Sequence, residues 1–203
     1  VAEKSAEKPL MVSAQPAASG PPPPAPKRRR ALELQGAFGY AVALRGDEGV
    51  AHGPRARLAG VDTATGCGAF ARLNGVVPRR VSRPELDLKL YGGAALVALS
   101  CGGRLSSHVR LSRFAGPSLE LVRYEAHAQA DKPFRPAAVA TERRPHVTFG
   151  AGVAFGRSPR LALVPELSVA LKDTHYDVNR TGRNETVARA SRVTDALGLE
   201  LEL

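Results

Sequence analysis

The feature that most constrains this chain is alternation with a period of two, kept up over stretches far longer than the average soluble strand of ~5–6 residues. In Leu32–Leu44 the even positions are Leu32, Leu34, Gly36, Phe38, Tyr40, Val42 and Leu44. The odd positions are Glu33, Gln35, Ala37, Gly39, Ala41 and Ala43. Successive strand side chains point to opposite faces, so this is a strand with one large apolar face and one small or polar face. The pattern returns where Val147, Phe149, Ala151, Val153 and Phe155 alternate with Thr148, Gly150, Gly152, Ala154 and Gly156. An Arg157-Ser158-Pro159-Arg160 turn follows, and then Leu161, Leu163, Pro165, Leu167, Val169 and Leu171 alternate with Ala162, Val164, Glu166, Ser168, Ala170 and Lys172. The last segment sets Leu197, Leu199, Leu201 and Leu203 against Ala196, Gly198, Glu200 and Glu202.

The small face decides the architecture. A water-soluble barrel turns its large apolar residues inward and its charges outward. A face made of Gly150, Gly152, Ala154 and Gly156 is a poor solvated exterior but suits the crowded inside of a narrow barrel, with the Val, Phe and Leu face in lipid. Arms of about ten residues match what a tilted strand needs to cross a bilayer. A membrane-spanning helix needs roughly 18 or more apolar residues. A stretch without charged or strongly polar residues such as Tyr91–Leu99 is far shorter, so a helical membrane protein is excluded.

Eight segments read as strands: Ala31–Leu44, His52–Asp62, Glu85–Leu99, Arg104–Ser112, Ser118–His127, His146–Gly156, Leu161–Lys172 and Arg192–Leu203. The fold class is all-β, an antiparallel up-and-down transmembrane barrel over residues 31–203. An even count puts both ends on one side. Arg113–Pro117 and Arg157–Arg160 are short connections on that periplasmic side, and Ala128–Pro145 and Asp173–Ser191 are long polar connections on the other. Thr63–Pro84 is too long for a periplasmic turn and holds a strand-like Ala69–Val77, so a ten-strand barrel with a break at Gly92-Gly93 is the alternative.

Val1–Arg30 is a separate region, rich in Ala, Pro and Ser, with Pro21–Pro24 consecutive. It has no apolar pattern with which to bury a core and is expected to be a disordered periplasmic tail. Lys4, Lys8, Lys27, Arg28, Arg29 and Arg30 face only Glu3 and Glu7 there, against a net charge of +10 for the whole chain. Elsewhere the basic residues are scattered, so nucleic acid is not the expected partner of this basic chain. The chain opens on Val1, as expected of a processed or truncated chain whose secretion signal has been removed.

The glycine-alternating His146–Gly156, its Arg-Ser-Pro-Arg turn, the Leu161–Lys172 partner with inward Glu166 and the alternating final strand resemble the small outer-membrane barrels of the OmpA and opacity-protein type. The resemblance covers Ala31–Leu203. It implies insertion in the bacterial outer membrane and a structural, adhesive or surface-recognition role, with outer-membrane lipid and lipopolysaccharide as neighbours.

The inward faces are expected to carry Glu33, Arg55, Arg57, Asp87, Lys89, His108, Arg110, Glu166, Glu200 and Glu202. Side chains fill an eight-strand lumen, and buried charges must be paired there, so Arg55, Arg57, Asp87, Lys89, Arg110, Glu166 and Glu200 form a structural ion-pair network. Ser106 and His108 could act as nucleophile and base on one strand, but no acidic residue is placed to orient the His. No catalytic residue, metal ligand set or cofactor is therefore expected, and the chain is read as a non-enzyme and a monomer. In this topology Cys67 and Cys101 fall at opposite ends and are expected to be unbridged.

Recognition is expected in the two long loops. The first carries Lys132, Arg135, Arg143 and Arg144, and the second Arg180 and Arg183. Guanidinium groups beside a membrane suit the phosphates of lipopolysaccharide. Two other readings stand beside this one: a soluble lipocalin-like barrel that turns Phe38, Phe149 and Phe155 into its lumen around a small apolar ligand, and an outer-membrane lipid-modifying enzyme.

Overall fold

A computed structural model describes residues 31–82, 86–128, 140–173, 175–180, 183–189 and 191–203. The N-terminal tail, residues 1–30, lies outside them. The strands are β1 (Leu32–Leu44), β2 (Val50–Asp62), β3 (Cys67–Ser82), β4 (Leu86–Arg104), β5 (Val109–Ala128), β6 (Ala140–Phe155), β7 (Arg160–Ala170), β8 (His175–Arg180), β9 (Arg183–Arg189) and β10 (Val193–Glu202). Eight of them close into an antiparallel barrel in the order β1-β10-β7-β6-β5-β4-β3-β2. The final strand seals the barrel against the first, with Ala37 opposite Glu202 and Leu44 opposite Asp195. Strands β8 and β9 pair only with each other, in the connection between β7 and β10.

The connections 63–66, 105–108 and 156–159 share one end of the barrel with the start of β1 and the end of β10. This is the short-turn end. At the other, long-loop end lie 45–49, the end of β3 and start of β4, the end of β5 and start of β6, and the end of β7 and start of β10.

Alternation sets the two faces of the wall. Phe38, Phe149 and Phe155 stand outward, 62%, 47% and 51% exposed, as do Leu34, Leu58, Leu163, Leu167 and Leu199. This disposes of the lipocalin-like reading, which needs the three phenylalanines inside. The inward glycines make room for larger groups. A Cβ on Gly150 would meet the Phe114 ring at 2.3 Å, and one on Gly198 would meet the Arg55 guanidinium at 2.0 Å.

Three expectations are corrected. First, the segment read as a long periplasmic connection contains β3. Its outward positions are small apart from Leu73 (Ala69, Ala71, Gly75) and its inward ones include Phe70 and Arg72, so the large-outside alternation is hidden. Second, the stretch read as two strands divided at Arg113–Pro117 is the single strand β5. Pro117 has no N–H to give, and it falls where the β4–β5 ladder is interrupted between the pairs Leu96↔Ser118 and Leu99↔Ala115. Eight barrel strands remain, one gained and one merged.

Third, the new placement of β3 brings the two cysteines together. Cys67 and Cys101 are direct cross-strand partners, 4.0 Å apart at Cα, and form a disulfide on the outer wall at the short-turn end. The expectation that they are unbridged rested on Cys101 ending its strand at the opposite side; β4 instead runs on to Arg104.

Candidate functional site

The lumen is built from residues that alternation turns inward, and its charges gather in two tiers. The tier nearer the short-turn end joins β2, β3, β7 and β10. Arg55 donates to Glu166 at 2.8 Å and to Glu200 at 3.1 Å. Arg72 takes both oxygens of Glu166 at 2.6 Å each, a bidentate pair. Arg57 links Glu200 at 3.1 Å and Glu202 at 2.5 Å. Phe70 and Phe114 pack edge to face beneath it, and both lie under the Arg72 guanidinium.

The upper tier sits toward the long-loop end. The short 3-10 turn Gly46–Glu48 between β1 and β2 folds over the lumen and delivers buried Glu48 into it. Glu48 accepts from Arg79 at 2.9 Å and from Arg144 at 2.8 Å. Glu120 accepts from Arg45 and lies 3.8 Å from Arg144 and 3.7 Å from the His146 ring. Between the tiers a cavity of about 80 Å³ is lined by Asn74, His146 and the hydroxyl chain Ser118–Thr148–Ser168, whose links are 2.7 and 2.9 Å. That volume suffices for several waters, but two layers of ion pairs bar the way through.

Among the residues expected to form the network, the structure brings Arg55, Arg57, Glu166 and Glu200 together. Arg110 lies below them, donating to the Gln35 amide at 3.0 Å. Asp87 and Lys89 are corrections: both face outward, while their neighbours Leu88 and Leu90 are buried with Val122 against Val81 and Tyr124. The cause is strand length. At 19 residues, β4 exceeds the ~9–11 that cross a bilayer, so its first residues rise past the apolar band and polar groups face out there. Glu33 lines the short-turn mouth. His108 belongs to the 105–108 turn, with Ser107 Oγ 2.8 Å from its Nδ1. Ser106 accepts the N–H groups of His108 and Val109 there, which is a turn-capping geometry.

Arg144 is also corrected. It is a lumen residue in β6, not a loop cation, and is 4% exposed. Arg143, its neighbour, faces out on the same strand. Lys132 and Arg135 lie outside the described residues. Arg180 and Arg183 are register partners at the turn of the β8–β9 hairpin. At the foot of that connection Asp173 grips both ends of the Arg192 guanidinium and thereby raises its pKa above the ordinary value.

Sequence reasoning missed Arg45, Glu48, Arg72, Arg79, Glu120 and His146 as network members. Arg45 and Arg144 were within reach, because each continues the small-face positions of its strand by one or two steps: Ala41, Ala43, Arg45 and Thr148, His146, Arg144.

A second charged region lies on the outer wall at the long-loop end. Arg80 stands opposite Lys89, Lys89 opposite Glu125, Tyr91 opposite Arg123, and Arg143 opposite Leu121. The Arg123 guanidinium covers the Tyr91 ring at 5.5 Å, and the Tyr91 hydroxyl donates to Glu125 at 2.8 Å. Four cations thus share this patch with Asp87 and Glu125, one step above the outward Val77, Gly93, Leu121 and Pro145. The far side of the barrel has no such cationic patch among the described residues; Tyr40, Val42, Leu44, Val50, Val169 and Val193 continue the apolar surface there, interrupted by His52 and Asp195.

No family model matches this sequence, and no curated protein matches it. Solved structures do match the fold. A major outer membrane protein from Thermus thermophilus aligns over 84% of this chain and 99% of its own, at 8% identity and a TM-score of 0.55. Neisserial surface protein A aligns over 85% of this chain and 98% of its own, at 15% identity and a TM-score of 0.50. With its apolar outer wall, charged and plugged lumen, short turns at one end and long loops at the other, the chain folds as a small eight-stranded outer-membrane β-barrel.

Proposed function

We propose that this chain spans the bacterial outer membrane as a non-catalytic barrel and acts at the cell surface through its long-loop end, where it holds the phosphate-bearing headgroups of outer-leaflet lipopolysaccharide. The observation that carries this reading is the one-sided outer-wall patch of Arg80, Lys89, Arg123 and Arg143 directly above the apolar band. That is the headgroup level of a barrel in lipid. Arginine forks bind phosphate bidentately, and Arg123 is held ready by its stacking on Tyr91. The recognition role read from the sequence for Lys132, Arg135, Arg180 and Arg183 belongs to the same proposal. The two ion-pair tiers supply structure and leave no solute path, so the function belongs to the surface.

The test has two parts. The protein should partition with outer membranes and migrate faster on gels unboiled than boiled, because a closed barrel satisfies its backbone groups internally and resists detergent. The purified barrel in detergent should bind immobilised lipopolysaccharide better than immobilised phosphatidylcholine. Replacing Arg80, Arg123 and Arg143 by Gln should weaken that binding at least tenfold, since hydrogen bonds to charged groups are worth about 1.5–3 kcal/mol each. Recovery in the soluble fraction, or undiminished binding by the triple variant, would overturn the reading.

A further inference from the structure

The short-turn end opens into a cup of about 720 Å³, bounded by Glu33 and Gln35 of β1, the 63–66 turn, Arg104 of β4, Arg110 of β5 and Arg160 of β7. Its floor is closed by the Arg57–Glu202 pair and by Phe70 and Phe114. The cup is blind and faces the solvent at that end.

Its charge is unbalanced in a way the lumen above it is not. Arg104 and Arg110 are direct cross-strand partners on the inward face. Like charges placed so are mutually destabilising. Arg110 donates to the neutral Gln35 amide. Arg160 has Glu202 as its register partner, yet the Glu202 carboxylate turns away to Arg57 at 2.5 Å. Among the described residues no carboxylate comes within ion-pair distance of Arg104, Arg110 or Arg160, and Glu33 is the one acid on the cup wall. Arg157 and Arg160 border an adjoining recess with Glu33 and Glu202.

We propose that this cup is an oxyanion site, which takes a multiply charged phosphate or carboxylate group between Arg104, Arg110 and Arg160. Two guanidinium groups side by side, with a third across the cup, can hold one group of several oxygens through parallel N–H donors. Such an anion removes the repulsion between Arg104 and Arg110. If the barrel spans the outer membrane as proposed above, the ligand comes from the periplasm. The site itself does not depend on that reading.

The experiment uses the full chain in detergent micelles at low salt, titrated calorimetrically with two probes: pyrophosphate for the phosphate class and citrate for the carboxylate class. Saturable one-site binding of either probe is expected, and the stronger of the two identifies the class. The double variant Arg104→Gln/Arg110→Gln should bind at least tenfold more weakly, and Arg160→Gln should lose part of the affinity. Lys172→Gln, an exposed cation at the far end outside both charged regions, should bind as the parent does, and the Arg104→Gln/Arg110→Gln variant should keep its binding to lipopolysaccharide, which separates failure here from failure of lipopolysaccharide binding. Thermal unfolding supplies a second readout: the probe should raise the midpoint of the parent and leave that of the double variant unmoved. Absence of saturable binding by both probes overturns the proposal. So does binding that survives the double variant.

Discussion

In the middle of the lumen, positive charge is matched to negative charge group by group. Arg55, Arg57 and Arg72 interlock with Glu166, Glu200 and Glu202, and all but the Arg57–Glu202 rung is sealed from solvent. At the two ends the ratio changes. The outer-wall patch sets four cations against Asp87 and Glu125, and the short-turn cup sets Arg104, Arg110 and Arg160 against Glu33. Burial explains the difference. A charge taken out of water must be compensated within the protein. A charge left at the water boundary is compensated by solvent, and so remains available to a ligand. Matched charge is the frame of this barrel, and excess charge marks where it meets other molecules.

The largest effect belongs to the buried charges. Glu166→Gln leaves Arg55 and Arg72 facing each other without their shared carboxylate, and should cost about 3–5 kcal/mol. Urea unfolding of the reconstituted barrel, read as the loss of the fast-migrating band, measures it. An unchanged midpoint would refute the pairing. Phe149→Arg tests the apolar band that lies between the two kinds of charge. Its cost should be about 2–4 kcal/mol near the bilayer midplane, seen as impaired folding into phospholipid vesicles, and harmless insertion would reverse the facing of the wall. The smallest effect belongs to the exposed pole. Arg123→Gln should change stability by less than about 0.5 kcal/mol, while lipopolysaccharide binding falls. A large loss of stability would move Arg123 from the binding group into the frame.

The faces of the wall were legible wherever one face was large and the other small. Strands β1, β6, β7 and β10 all show that contrast, and it placed Glu166 and Glu200 on the inner face; the same alternation in β2 placed Arg55 and Arg57 there. It failed where the contrast was absent or reversed. Strand β3 hides Arg72 because Ala69, Ala71 and Gly75 leave Leu73 as the one large side chain on the outer face beside it. The pair Gly116-Pro117 looks like a turn, since nothing local reveals that the ladder beside it is interrupted. Asp87 and Lys89 obey alternation, but they sit above the lipid, where water, not the lumen, receives polar groups. The pairing in the upper tier was beyond reach. Glu48 enters the lumen from a short 3-10 turn, and its partners Arg79 and Arg144 come from strands far away in sequence.

The Cys67–Cys101 bridge has a consequence for how the wall is assembled. Slipping one strand by a single residue would exchange its inner and outer faces. Most ladders in this barrel resist that through the cost of burying the wrong side chains. The β3–β4 ladder has less of this guard, because β3 is small on its outer face apart from Leu73 and carries a bulge between Val76 and Arg79. The covalent link ties that hairpin at its foot, joining residues 34 apart along the chain. Once oxidised, the hairpin can zip upward in one phase only. Arg72, five residues above the bridge, is thereby kept on the inner face, where Glu166 meets it.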